Sequence, residues 1–330
     1  MPTPRSFVWA FGLGSKETTF GVIQADASLT DWVTPTEANF ADVEISYRTD
    51  EEEINGYLGE TEHQIEHKKG KVSRKFNGSV EIITWALAMM LGKVTSSGIS
   101  PNFTHTIKFR DVCTVNPPSF SFVEALNCAG FTSTYFGYKG CVINSISLEV
   151  NGKGAVQVTI EIMHDGSETA KAAFTLPASA TAVNKLLGSM LTLTVNAVDI
   201  SSLVRNFKLT LNAGITEPPS IAAGVNVAEY QYGEGSPKLD IEFTFKGDKS
   251  HAFYALFQNA TVIPITAALT FNANRSISMT ATKNVLQITE RAQGNETQLV
   301  CKAMPEHNTT DQGPGVFTAK TGQATYLVAA

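Results

Sequence analysis

The sharpest chemistry on offer is His63-Gln64-Ile65-Glu66-His67, which fits the inverted zinc-protease signature H-x-x-E-H letter for letter. That chemistry needs both histidines on one face of a helix, a third ligand downstream and a base beside a metal-bound water. The five residues sit instead in a charged stretch flanked by Gly59 and Gly70, with no apolar helical stripe to carry them. Motifs this short arise readily by chance, so the expectation is a solvated loop. Gly12-Leu13-Gly14 lacks the third glycine of a dinucleotide fingerprint and a preceding strand, and Gly233 to Lys238 is no phosphate loop; both read as turns. No Gly-X-Ser-X-Gly elbow occurs, and His105, His164, His251 and His307 are dispersed without a partnered nucleophile. Cys113, Cys128, Cys141 and Cys301 are too widely spaced for a zinc ribbon and too few for a disulfide scaffold, so they read as reduced structural thiols. The sequence offers no catalytic, cofactor or metal site.

A chain of 330 residues that is 43% hydrophobic and 17% charged can bury one or two cores. Its formal charge of -6 argues against gripping nucleic acid, which takes clustered lysine and arginine. The apolar stretch from Ile82 to Leu91 falls well short of the ~20 residues of a spanning helix, and no basic stretch followed by an apolar run opens the chain. The expectation is a protein neither secreted nor membrane-inserted. Threonine occurs 36 times, in the company of Val, Ile, Phe and Tyr, which is the composition of strands.

Strict alternation puts successive side chains on opposite faces of a strand. Val156, Val158, Ile160 and Ile162 alternate with Gln157, Thr159 and Glu161, after a similar run from Val142 to Val150. Asn151-Gly152-Lys153-Gly154 between them supplies residues that accept a hairpin turn. Leu239 to Lys246 and Phe207 to Asn212 alternate likewise, each predicting one buried and one wet face and hence antiparallel pairing. Two segments have helical spacing: 79–91, with Ser79 as N-cap and Gly92 as the stop, and 249–258, capped by Asp248 or Ser250.

Both helices directly follow an alternating strand, and the order of elements repeats. The first half reads as strands near 18–24 and 42–48, a loop at 49–70, a strand, a helix, then strands near 104–110, 118–123, 141–150 and 155–163. The second reads as strands near 190–196 and 203–212, a loop at 213–237, a strand, a helix, then strands near 265–271, 275–282, 284–290 and 297–303. The expected division is a first domain at 1–165, a linker at 166–188 and a second domain at 189–330, with terminal arms 1–16 and 305–330 ordered only on assembly. Loops of over 20 residues inside compact β-domains are uncommon, and two at one topological position suggest a shared task such as contacting a neighbour. The first carries Asp50, Glu51, Glu52 and Glu53 before Lys68, Lys69 and Lys71; the second ends near Glu229, Tyr230 and Tyr232.

With these patterns the chain resembles the tail tube proteins of long-tailed (siphophage-type) bacteriophages, in the subgroup where one chain carries two tube domains. The resemblance rests on Lys71 to Gly92 as strand then helix, on the hairpin around Asp199-Ile200-Ser201-Ser202-Leu203, and on Glu229 to Phe271 as loop, strand, helix, strand. It implies a mainly β protein of two tandem β-barrel or β-sandwich domains with one short helix each. It further implies a structural virion protein, no enzyme, that stacks as rings into a hollow tube through which double-stranded DNA passes. Single-domain relatives form hexameric rings, so two domains per chain imply a homotrimer with pseudo-sixfold symmetry. The two loops would then reach the adjacent ring. Gln157, Thr159, Glu161, Asp240 and Glu242 become candidates for the lumen wall, where an acidic or neutral surface lets DNA slide. The implied partners are further copies of the chain and the tape-measure, tail-tip and tail-terminator proteins, with no cofactor and no membrane, in a virion assembled in the host cytoplasm. The competing reading is a receptor-binding β-sandwich on the virion surface.

Overall fold

The computed structural model describes residues 5–36, 41–54, 57–111, 113, 116–128, 134–177, 179–180, 185–218, 224–233, 237–246, 252–293 and 297–329. In the first half the strands are β1 (Arg5–Phe11), β2 (Ser15–Lys16), β3 (Asp31–Val33), β4 (Asp42–Ile54) and β5 (Tyr57–Asn77). After α1 (Val80–Leu91) come β6 (Lys93–Ile99), β7 (Asn102–Lys108), β8 (Phe120–Cys128), β9 (Thr134–Asn151) and β10 (Gln157–His164). The short β11 (Thr169–Lys171) and β12 (Ser179–Ala180) lead to β13 (Leu191–Val195), β14 (Val198–Asp199), β15 (Val204–Asn212), β16 (Ile215–Thr216), β17 (Gln231–Tyr232) and β18 (Lys238–Lys246). Then follow α2 (Ala252–Gln258), β19 (Ile263–Asn272), β20 (Arg275–Gln293), β21 (Thr297–Pro305), β22 (Val316–Thr321) and β23 (Val328–Ala329). The protein is mainly β, as expected.

Eight antiparallel strands run side by side in the order β4-β5-β10-β9-β15-β18-β21-β20. This sheet is amphipathic. Val158, Ile160 and Ile162 of β10, Phe207, Leu209 and Leu211 of β15, and Ile241, Phe243 and Phe245 of β18 are all buried, while the residues between them reach solvent. The buried face is covered by α1, whose twelve residues are buried except Glu81. Ser79 Oγ accepts the Ile82 amide at 3.3 Å, and Gly92 ends the helix in the left-handed conformation at φ 69°. A Cβ at this position would be strained, so glycine is the residue that closes the turn. Trp85 of α1 meets Phe11 at 4.5 Å and Phe120 at 5.0 Å between ring centroids, in an aromatic core that also holds Trp9 and Phe76.

The long strands β9 and β20 each serve two layers. The first part of β9 pairs with β8 on one edge and β11 on the other; the first part of β20 pairs likewise with β19 and β22. The second part of each continues into the eight-stranded sheet. Among the described residues the halves are joined by three ladders, β9 with β15, β7 with β22 and the short parallel pair β2 with β23. Arg275 Nε, on β20, adds an ion pair 2.9 Å from Glu81 of α1.

Several expectations change. No strand spans 18–24; Gly21 at φ 72° and the Val22 amide bonded to Thr19 O make a turn there. The N-terminal arm contains β1, paired with β3 and β8, with Trp9, Ala10 and Phe11 at 0% exposure, so Gly12-Leu13-Gly14 does follow a strand. A continuous apolar run carries no alternation to read, which is how a strand buried on both faces escapes notice. The C-terminal arm is likewise built in: β22 lies between β20 and β7, with Phe317 and Ala319 buried. The region 49–70 is no loop but the paired arms of β4 and β5. The strands expected at 275–282 and 284–290 are one strand, β20, and β6 was not anticipated at all. Within 166–188, Leu186 is fully buried and Phe174 closes a small second core with Ala10, Leu29 and Val123. The caps expected at Asp248 or Ser250 lie outside the described residues.

Candidate functional site: a polar sheet face and a seated loop

Register brings the wet side chains of the eight-stranded sheet into rows. One row reads Asn77, Gln157, Glu149, Lys208, Glu242, Lys302 and Gln287, crossing from β5 to β20 through both halves. The next reads Lys75, Thr159, Ser147, Thr210 and Asp240. Gln157, Thr159, Glu161, Asp240 and Glu242 therefore share one face, although β10 and β18 are 80 or so positions apart in the chain. Cross-strand ion pairs knit it: Lys208 to Glu149 at 2.9 Å, Lys302 to Asp240 at 3.0 Å, Lys69 to Glu44 at 3.5 Å and Lys71 to Glu161 at 3.8 Å. Lys69, Lys71, Lys75, Lys208, Lys238, Lys246 and Lys302 stand against Asp42, Glu44, Glu149, Glu161, Asp240 and Glu242, so the face is close to charge balance. Pairs this exposed contribute little to stability; their consequence is that, among the described residues, this face carries no cationic patch. Glu149, Lys208 and Lys302 were not singled out from the sequence. Alternation tells which side a residue faces but not what stands opposite it.

The second long loop is seated on the first half of the chain. Tyr230 Oη donates to His164 O at 2.8 Å, and Tyr232 Oη donates to Met90 O at 2.7 Å, a carbonyl in the last turn of α1. The Arg110 guanidinium lies 4.3 Å from the Tyr232 ring centroid. The Val227 amide bonds to Asp165 O, the Lys68 amide bonds to Val225 O, and His67 Nε2 lies 3.1 Å from Glu217 Oε2. Tyr230 and Tyr232, at 1% and 7% exposure, are thus engaged inside the chain. Glu229 accepts from Asn116 and Gln231. The backbone of Asp50, Glu51, Glu52 and Glu53 lies in β4, while their side chains lie outside the described residues.

Beneath this loop His164 is fully buried and hydrogen-bonded. His164 Nε2 lies 3.3 Å from Asp42 O, over Gly70, where a Cβ would come within 1.7 Å of that nitrogen. Burial pushes the His164 pKa down to about 4, because the charged imidazolium would be desolvated. Arg74 and Glu124 form an ion pair at 3% and 0% side-chain exposure, and the Ala41 amide also donates to Glu124. Desolvation nonetheless raises the Glu124 pKa, with Arg74 opposing it.

The zinc-like motif lies in strand β5 rather than on a helix, and the His63 side chain falls outside the described residues. Among the described residues no group of three His, Cys, Asp or Glu could hold a metal. No helix among them is long and apolar enough to cross a membrane.

An amphipathic sheet carried through both halves, closed on one side by a buried helix and on the other by balanced charge, defines a structural β-protein whose working parts are surfaces. A family model described as phage tail tube protein matches residues 10–320, and the chain belongs to that family. No curated protein matches it. The family is one of structural tail components, which makes the chain a virion component.

Proposed function

We propose that the chain assembles into stacked rings that form the tail tube, with the polar face of the eight-stranded sheet lining the channel for double-stranded DNA. The observation that carries this reading is the row from Asn77 to Gln287, one wet face running across both halves while α1 and the apolar core lie behind it. Duplex DNA presents about one charge per 1.7 Å of axis, and a wall on which Lys69, Lys71, Lys208 and Lys302 are paired with carboxylates and the charges nearly balance releases few counterions on contact. The duplex can therefore move past it.

The two halves act as tandem tube domains, each giving four strands of the eight-stranded sheet, so three chains supply six such four-stranded units and a ring of pseudo-sixfold symmetry. Side-by-side sheets closing into a barrel also bury strand edges that would otherwise aggregate. The β4/β5 arm, with Lys68, Lys69 and Lys71 at its base, and the Glu229 region supply contacts between rings. The tape-measure, tail-tip and tail-terminator proteins meet the tube inside and at its ends, in a virion assembled in the host cytoplasm. Negative-stain microscopy of concentrated protein tests this. Rings or tubes with a central channel are expected, and a protein that stays monomeric at high concentration, even with a tail-tip partner added, contradicts it.

A further inference from the structure

His105 has no partnered nucleophile in the sequence around it, but the register of β6 against β7 places Ser96 directly opposite it. Ser96 Oγ lies 2.8 Å from His105 Nδ1, and His105 Nε2 lies 3.0 Å from Thr321 Oγ1 at the end of β22. The imidazole is at 0% exposure, met edge-on by the Tyr326 ring at 4.8 Å between centroids, while Ser96 is exposed. Thr321, itself fully buried, donates its hydroxyl proton to Gln323 O at 3.4 Å and accepts the Gln323 amide at 3.2 Å. Towards the histidine its oxygen is therefore an acceptor, which holds the ring proton on Nε2 and leaves Nδ1 to accept from Ser96. Burial lowers the His105 pKa, so the ring is neutral at neutral pH. A hydroxyl within roughly 2.6–3.2 Å of a base that a third group orients is the arrangement that activates a nucleophile.

We propose that Ser96 is an acylation site, its hydroxyl taking an acyl group from an activated ester with His105 as the base. Ser96 Oγ forms the bond to the carbonyl carbon as its proton passes to His105 Nδ1. The carbon–oxygen bond to the leaving alcohol then breaks, and that alcohol carries the proton away. Thr321 is a positioning residue that acts through the imidazole. The product is a lasting ester, one per chain, and no turnover follows. His105 is buried behind Ser96, so an acyl group on Oγ lies between Nδ1 and the water that hydrolysis needs. The site stands independently of the ring reading, since it lies on β6 and β7 and uses none of the polar face of the eight-stranded sheet.

The next residue of the strand supplies an internal control. Ser97 is exposed as well, but its cross-strand partner is Thr104. The unsubstituted protein is treated with 4-nitrophenyl acetate at neutral pH and digested, and acetyl groups are mapped over time by mass spectrometry. A positioned general base adds roughly 10²–10⁴-fold, so Ser96 is expected to acetylate at least about tenfold faster than Ser97. His105→Gln, shown to be folded by its melting curve, is expected to bring Ser96 down to the Ser97 rate. Thr321→Val is expected to lower the Ser96 to Ser97 ratio and Thr321→Ser to restore it. Equal rates at the two serines of the unsubstituted protein, a comparison that needs no variant to fold, would overturn the proposal. An unchanged Ser96 rate in folded His105→Gln would do the same, leaving the Ser96–His105 contact a structural hydrogen bond.

Discussion

His164 shows how a single buried side chain ties pH to stability. Its folded pKa of about 4 lies below the ordinary histidine value of 6.5, so between those limits the unfolded chain binds a proton that the folded chain does not. Stability contributed by the neutral imidazole is complete above pH 6.5 and is lost as pH falls towards 4, by up to about 3 kcal/mol. His105 shifts in the same direction through burial. Glu17, Glu124 and Asp165 have pKa values raised by burial and act in the opposite sense, the folded state taking up their protons before the unfolded state as pH falls. His164 by itself therefore lowers the melting temperature from pH 7 to pH 5, and His164→Gln, whose amide keeps a donor, is expected to lessen that acid-side loss relative to the unsubstituted protein. An unchanged slope in the variant would remove His164 as the cause. At Arg74 the prediction is larger. Arg74→Met leaves Glu124 buried without its cation, at a cost of about 3 to 5 kcal/mol in denaturant unfolding, whereas replacing both partners with apolar residues costs much less.

At the scale of elements, legibility followed hydrophobic period. α1, with Ser79 and Gly92 at its ends, and the β9/β10 hairpin were readable because apolar residues recur at the spacing each element needs. β1 was hidden because Phe7 to Phe11 is an unbroken apolar run, and β6 because Lys93 to Ile99 is mostly exposed and polar. The arm of β4 and β5 passed for a loop because consecutive acids from Asp50 to Glu53 leave no period to detect. The facing direction of Gln157, Thr159, Glu161, Asp240 and Glu242 was readable from parity, but their ion-paired neighbours Glu149, Lys208 and Lys302 depend on register between distant strands. The caps carry a direct test. Ser79→Ala removes the oxygen that accepts the Ile82 amide at a fully buried helix start, and about 1 to 2 kcal/mol is expected in unfolding experiments. Ser79→Thr, which keeps the hydroxyl acceptor, is expected to lose less; equal losses would show that packing rather than capping sets the cost.

For the whole molecule, the central feature is that the two halves share sheets. The ladders between β9 and β15 and between β7 and β22, together with the seat of Tyr230 and Tyr232 on the first half, are all broken if the chain is divided. Residues 1–165 expressed alone would expose the β9 edge and the apolar face of Ile146 and Leu148, so this fragment is expected to aggregate on size-exclusion chromatography. Coexpression with residues 166–330 is expected to recover soluble protein, and a soluble monomeric first half would contradict the shared-sheet account. The central claim itself is best tested by helical reconstruction of assembled tubes from electron micrographs. The account predicts three chains per ring, pseudo-sixfold symmetry, and Glu149, Lys208, Glu242 and Lys302 on strands facing the axis. Rings of six chains, or these four residues on the outer surface of the tube, would contradict it.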